Sequence, residues 1–334
     1  MRARRLPLAV AAASALLFTA ACGGGGTTEE TSAAPGTEET TGAEAGGDLT
    51  PITVGVIPIV DTAAIWLGVD QGIFEEHGLD VTLDVAQGGA AIAPAVVSGD
   101  YQFGFSNVVS LLIASSKGLP LQIVAPGNFS TGDTTADIGA VVTKPDSGIT
   151  SPADLAGKTV AVNTLNNIGD VTVKEVVAKA GGDPESIQFV EMGFPDMPAA
   201  VESGQVDAAW ILEPFLTITK EQGAEVVTHN FAEVDPDMMI AAYFTTRQYA
   251  QAEPEIVENF TAAMNESLDY AEANPDEARA IISTYTEIDP AVQEAMVMPK
   301  FSSKMGTDSL QLLADLSLKY GLVDEEVDLS QLLP

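Results

Sequence analysis

From Pro51 onward the chain alternates short β-branched apolar runs with amphipathic stretches long enough for helices, and it does so twice in succession. Ile52–Ile57 reads as a buried strand. Asp61 onward, with Ala63, Ala64, Trp66, Leu67 and Val69, reads as a helix that Gly72 and Gly78 close. Val81–Val85 is a second strand, followed by Gln87-Gly88-Gly89 and an Ala-rich helix ending at Gly99. Phe103–Phe105 is a third, with Ser106 or Asn107 placed to cap a helix over 108–116, and Leu121–Ala125 a fourth. Connections of this length join parallel strands, so the pattern predicts an α/β sheet covered on both faces.

A second round begins at Ser151-Pro152-Ala153-Asp154-Leu155, a capped helical turn. Strands are expected at 159–163, 187–191 and 208–211, with helices over 171–180 and 197–203. After Val257 only helices follow, over 257–274, 275–283, 290–298 and 309–320, and these must pack on an existing lobe because they cannot build a third sheet. The expected crossings between lobes lie near Thr143–Gly148 and Ala241–Thr246. Lobe 1 is then 51–144 plus 246–334, and lobe 2 is 145–245.

The N-terminus reads as an export signal. Arg2, Arg4 and Arg5 precede an apolar Leu6–Phe18, and Thr19-Ala20-Ala21 supplies small residues before Cys22, the one cysteine of the chain. A single thiol makes no internal disulfide, so Cys22 is expected to carry lipid as the mature N-terminus; the junction resembles the bacterial lipoprotein box, although Thr19 stands where that box usually has Leu. Residues 22–50 hold six acids, no base and no aromatic, the composition of a disordered acidic linker. Its expected reach is about 30 Å.

Loss of Arg2, Arg4 and Arg5 with residues 1–21 takes the formal charge from −34 to −37. That charge argues against nucleic acid or an anionic lipid surface as a partner, since both repel a uniformly acidic chain.

Several stretches, in order, resemble the bacterial solute-binding proteins of ABC importers for nitrate, taurine, aliphatic sulfonates and thiamine pyrimidine precursors. They are Val54–Pro58, Gln71–Val81, Val97–Gly104, Asp154–Val162 and Gly204–Trp210 with Glu213-Pro214. The resemblance implies a two-lobed periplasmic-binding-protein fold of type II, C-terminal helices on lobe 1, and a ligand that closes the cleft. It also implies a membrane permease with its ATPase as the partner of a monomer held at the membrane by its lipid.

In open α/β sheets the ligand lies beyond the carboxyl ends of the strands, where helix N-termini present free N–H groups. That rule selects five loops and, in them, Asp61, Thr62, Gln87, Gly88, Ser106, Asn107, Thr164, Asn166, Asn167, Trp210 and Glu213. Trp210 would give a flat wall. Glu213, just past a strand end, must be solvated, capped or paired. None of the five loops contains Lys or Arg; Arg247 is the nearest cation in sequence. A neutral or amine-bearing ligand, pyrimidine-like, fits Asp61 and Glu213 best. A sulfonate, taurine or nitrate held by helix N-termini and Asn or Ser donors is the alternative.

Two other classes stay open. The chain could sense a ligand for a receptor instead of feeding a permease. The same fold serves a fungal pyrimidine-precursor-forming enzyme dependent on histidine and metal, but His77 and His229 stand alone here, and no Gly-x-Ser-x-Gly, phosphate loop or paired cysteine occurs. No catalysis, cofactor or metal is therefore expected.

Overall fold

The computed structural model describes residues 49–333, so the expected signal segment, Cys22 and nearly all of the acidic linker lie outside the described residues. Ten strands form two five-stranded sheets: β1 (Thr50–Val56), β2 (Leu79–Val85), β3 (Phe103–Asn107), β4 (Leu121–Phe129), β5 (Gly139–Thr143), β6 (Thr159–Val162), β7 (Gln188–Glu191), β8 (Ala208–Leu212), β9 (Glu225–Thr228) and β10 (Met239–Thr246). The first sheet runs β2-β1-β3-β10-β4 and the second β7-β6-β8-β5-β9. The two-lobed α/β expectation holds.

The chain crosses between sheets earlier than the sequence suggested. β5 belongs to the second sheet and β10 to the first, so the crossings are residues 130–138 and 229–238, and the expected crossings at 143–148 and 241–246 fall after β5 and inside β10. The boundary residues 144–145 and 245–246 move accordingly. Nor is the pairing wholly parallel. β1 runs parallel to β2 and β3, and β6 to β7 and β8, but β10 is antiparallel to β3 and β4, and β5 to β8 and β9. The reason is geometric. A strand arriving from the other lobe starts at the edge where its neighbours end, and can only run away from it.

Helices cover both sheets. In lobe 1 these are α1 (Ala63–Asp70), α2 (Ile73–Glu76), α3 (Gly89–Ser98) and α4 (Val108–Ser116). In lobe 2 they are α5 (Ile168–Lys179), α6 (Met197–Ser203), α7 (Phe215–Glu221) and α8 (Asn230–Val234). The tail supplies α9 (Arg247–Ala252), α10 (Pro254–Ala273), α11 (Pro275–Ala280), α12 (Pro290–Ala295) and α13 (Thr307–Lys319).

As expected, the tail completes lobe 1. α10 packs on α1, α2 and β4, and its Phe260 stacks on Phe103 with centroids 3.8 Å apart. Trp66 of α1 stacks on Tyr285 at 4.6 Å. The tail also reaches lobe 2. α12 touches α7, and α13 lies against both α4 and α5, where Glu175 of α5 accepts from Lys319 and from the Tyr320 hydroxyl.

Buried Asp137 gathers the two crossings. Its carboxylate accepts from the Ser130 hydroxyl (2.5 Å) and Thr131 N–H (2.9 Å) of the first crossing and from Ala232 N–H (3.1 Å) of the second. Ser130 N–H also donates to the Met238 carbonyl at 2.9 Å. A buried carboxylate with several donors is well satisfied, and it ties the two crossings to each other.

Candidate functional site

The carboxyl ends of β1, β3, β6, β7 and β8 face one another across the cleft between the lobes. Two glycines let helices approach these strand ends closely. A Cβ on Gly89 would fall 1.8 Å from Ser106 Oγ, and one on Gly169 would fall 2.5 Å from the Trp210 ring. Each helix, α3 in lobe 1 and α5 in lobe 2, is thereby seated directly on a strand side chain.

The lobes touch across the cleft. Asn163 Nδ2 donates to the Gln87 carbonyl (3.4 Å), and Val60 N–H to the Glu213 carbonyl (3.3 Å). Between them lie two adjoining hollows. An inner recess of about 20 Å³ is bounded by Asp61, Asn107, Asn163 and Trp210 with apolar neighbours such as Phe105 and Phe194. An outer chamber of about 340 Å³ shares Ile57, Ile59 and Phe194 with it and adds Gln87 and Phe215.

Asp61 is the chemical centre of the recess. It sits in a single 3₁₀ turn (Val60–Thr62) at the end of β1 and is 2 % exposed. Burial pushes its carboxyl up to about 7, because loss of water penalises the charged form; the hydrogen bond from Asn128 Nδ2 (3.0 Å) to Oδ1 opposes that shift. Its Oδ2 has no partner among the described residues. Trp210 Nε1, equally buried, has none either. Two of the residues that line the recess thus each keep a buried polar atom without a partner, which is rare.

The remaining sequence-selected residues divide. Asn107 lines the recess, although its Oδ1 is committed to Ser110 N–H as the α4 cap, and Gln87 lines the outer chamber. Thr62 spends its hydroxyl on the Ile57 carbonyl (2.8 Å). Ser106 packs under Gly89 and donates to the Asn107 carbonyl (3.2 Å). Gly88 borders Thr164 and Asn163 of the facing lobe. Thr164 accepts from Asn167 Nδ2 (3.0 Å), while Asn167 Oδ1 caps α5 through Gly169 N–H (2.8 Å). Asn166 takes a left-handed φ of 56°, a conformation asparagine tolerates, and its N–H donates to Asp170 Oδ2 (2.6 Å). Thr62, Gly88, Ser106, Thr164, Asn166 and Asn167 line neither hollow.

Glu213 lines neither hollow as well. Its carboxylate accepts from Thr217 N–H (3.0 Å), the Thr217 hydroxyl (2.8 Å) and Val297 N–H of the tail (3.2 Å). It caps the start of α7 and ties that helix to the tail. The apolar walls, Ile57, Ile59, Phe105, Phe194 and Phe215, were not selected from sequence, since an apolar residue facing a cavity and one facing the core carry the same signal. Asn163 was missed by one position: it begins the selected loop, but the strand was expected to absorb it.

Known proteins share this architecture. The formylaminopyrimidine-binding protein of Halalkalibacterium halodurans is 24 % identical over 223 residues, 66 % of this chain and 65 % of the relative. The taurine-binding periplasmic protein of Escherichia coli is 24 % identical over 207 residues, 62 % of each chain. The alkanesulfonate-binding protein of Xanthomonas axonopodis pv. citri, solved with MOPS bound, superposes with a TM-score of 0.72 at 18 % identity, covering 86 % of this chain and 99 % of that one. The profile of the NMT1/THI5-like family matches residues 60–278, from the turn that carries Asp61 to the tail helices, and the chain belongs to that family.

Proposed function

We propose that the protein is the extracytoplasmic solute-binding component of an ABC importer, and that its lobes close on a small neutral or amine-bearing organic molecule, pyrimidine-like in its polar groups. One observation carries the choice of ligand: Asp61 and Trp210 line the same recess, and Asp61 Oδ2 and Trp210 Nε1 are buried with no partner among the described residues. An amino-heterocycle supplies a donor for the first and an acceptor for the second. No Lys, Arg or His lines either hollow, so neither offers a side-chain cation to an anion.

The ligand acts by population shift. It contacts both lobes only when they are closed, so its affinity difference between the two states sets the fraction closed, and a permease reads the closed surface. A lipid on Cys22 would keep the protein beside that permease; mass spectrometry of the mature N-terminus tests this, and an unmodified Cys22 removes the tether while leaving the binding role.

A second reading, a sulfonate or related oxyanion, is favoured by one feature. α3 begins at Gly88 without a side-chain cap, leaving its first N–H groups toward the facing lobe. Calorimetry separates the two. Binding of 4-amino-5-aminomethyl-2-methylpyrimidine or its N-formyl derivative, lost in Asp61→Asn, is the expected result. Tight binding of an amine-free alkanesulfonate, unaffected by Asp61→Asn, would establish the oxyanion reading instead.

A further inference from the structure

The two hollows differ too much in size and polarity to hold the same part of a ligand. A recess of about 20 Å³ has room for about one water-sized group, so it takes a single amine or ring nitrogen and not a whole ring. The body of any ligand whose polar end reaches Asp61 must therefore lie in the adjoining chamber. That chamber, about 340 Å³, falls in the range of small-molecule sites.

Its walls are nearly free of polar side chains. Of the ten lining residues only Gln87 carries one. Ile57, Pro58, Ile59, Val85 and Ala86 come from the ends of β1 and β2 in lobe 1, and Phe194, Pro195 and Phe215 from lobe 2, where the rings of Phe194 and Phe215 lie nearly parallel at 6.4 Å. Val85 is 49 % exposed, a large apolar side chain left open to the chamber. An apolar surface contributed by both lobes and continuous with a polar recess fits an occupant that is itself amphipathic.

We infer that the solute places a single amine or ring nitrogen in the Asp61 recess and an apolar body in the outer chamber between the lobes. This rests on the ligand reading above and narrows it. Apolar area on the solute is then buried only in the closed state, so a longer apolar body strengthens closure as well as affinity.

Calorimetry with a graded probe tests the inference: 4-amino-5-aminomethyl-2-methylpyrimidine acylated with formyl, butanoyl and hexanoyl groups. Affinity is expected to rise roughly two- to fourfold per added methylene. Val85→Asp, at an exposed position, and Phe215→Ser, with its thermal midpoint recorded as a check on folding, should each flatten that rise. If the formyl compound binds and the longer ones bind no better, or if the rise persists in both variants, the chamber is not the site of the ligand body and the inference fails alone. If no member of the series binds, the amine reading falls, and this inference with it.

Discussion

Asp61 and Glu213 are both buried carboxylates at strand ends on the cleft, one in each lobe, and they do opposite things. Glu213 is saturated: three donors reach its two oxygens, and the last of them comes from the tail of the chain. Asp61 accepts one hydrogen bond and leaves Oδ2 bare beside a hollow. Burial raises both above their ordinary values. In Glu213 the cost is met by neighbours that hold the fold together, and in Asp61 it is unmet among the described residues. Position at a strand end does not separate the two carboxylates; unmet hydrogen-bonding capacity does.

The sharpest way to break this contrast is pH. The Asp61 carboxyl holds its proton to about 7 when folded and to its ordinary 3.8 when unfolded, so folding takes up a proton in that window and stability falls as pH rises through it. The fall contributed by Asp61 approaches about 4 kcal/mol by neutral pH. Asp170, also raised to about 7 by burial, adds to the same trend. Urea unfolding of Asp61→Asn should show a shallower decline and greater stability at pH 7.5. In the same variant, affinity for an aminopyrimidine should drop roughly 10- to 100-fold, the scale of a charged hydrogen bond. With wild-type protein that affinity should weaken as pH falls below about 7, where the carboxyl is protonated before the ligand arrives.

Glu213→Ala should behave in the reverse manner, costing about 3 kcal/mol in denaturant unfolding because buried N–H groups lose their acceptor. If it abolished binding without loss of stability, Glu213 would be a ligand contact after all. Trp210→Phe removes the unspent donor together with part of the buried indole; a roughly fivefold loss of affinity is expected, with a lowered unfolding midpoint from the space left under α5. Thr217→Val, which takes one donor from Glu213, should have the smallest effect, about 1 kcal/mol of stability and no direct change in affinity.

Much of the fold was legible in the sequence because strand and helix periodicities differ and glycines punctuate them. Asn107 caps α4 as expected, and Ser151 with Asp154 forms the capping box at the start of the second round. The antiparallel strands β5 and β10 and the edge strand β9 were not legible. Gly139–Thr143 and Met239–Thr246 look like connectors because the alternation rule expects every strand to be followed by a helix on the same sheet, and a strand that changes lobes breaks that rule. Of the candidate site, four sequence-selected residues line the hollows: Asp61, Asn107 and Gln87 at or just past strand ends, and Trp210 within β8. What separates Asp61 from Glu213 is the partner each finds, and the decisive one, Val297, lies far away in sequence.

The split course of the chain has a consequence for synthesis and export. The lobe 2 sheet is complete once residue 228 has emerged, all its strands being contiguous in the chain. In the lobe 1 sheet, β10 lies between β3 and β4, so a nascent chain ending before Met239 has an open slot in the middle of that sheet. A chain emerging N-terminus first can therefore finish its second lobe before its first, and until β10 arrives the unpaired edges of β3 and β4 are the surfaces a chaperone has to guard.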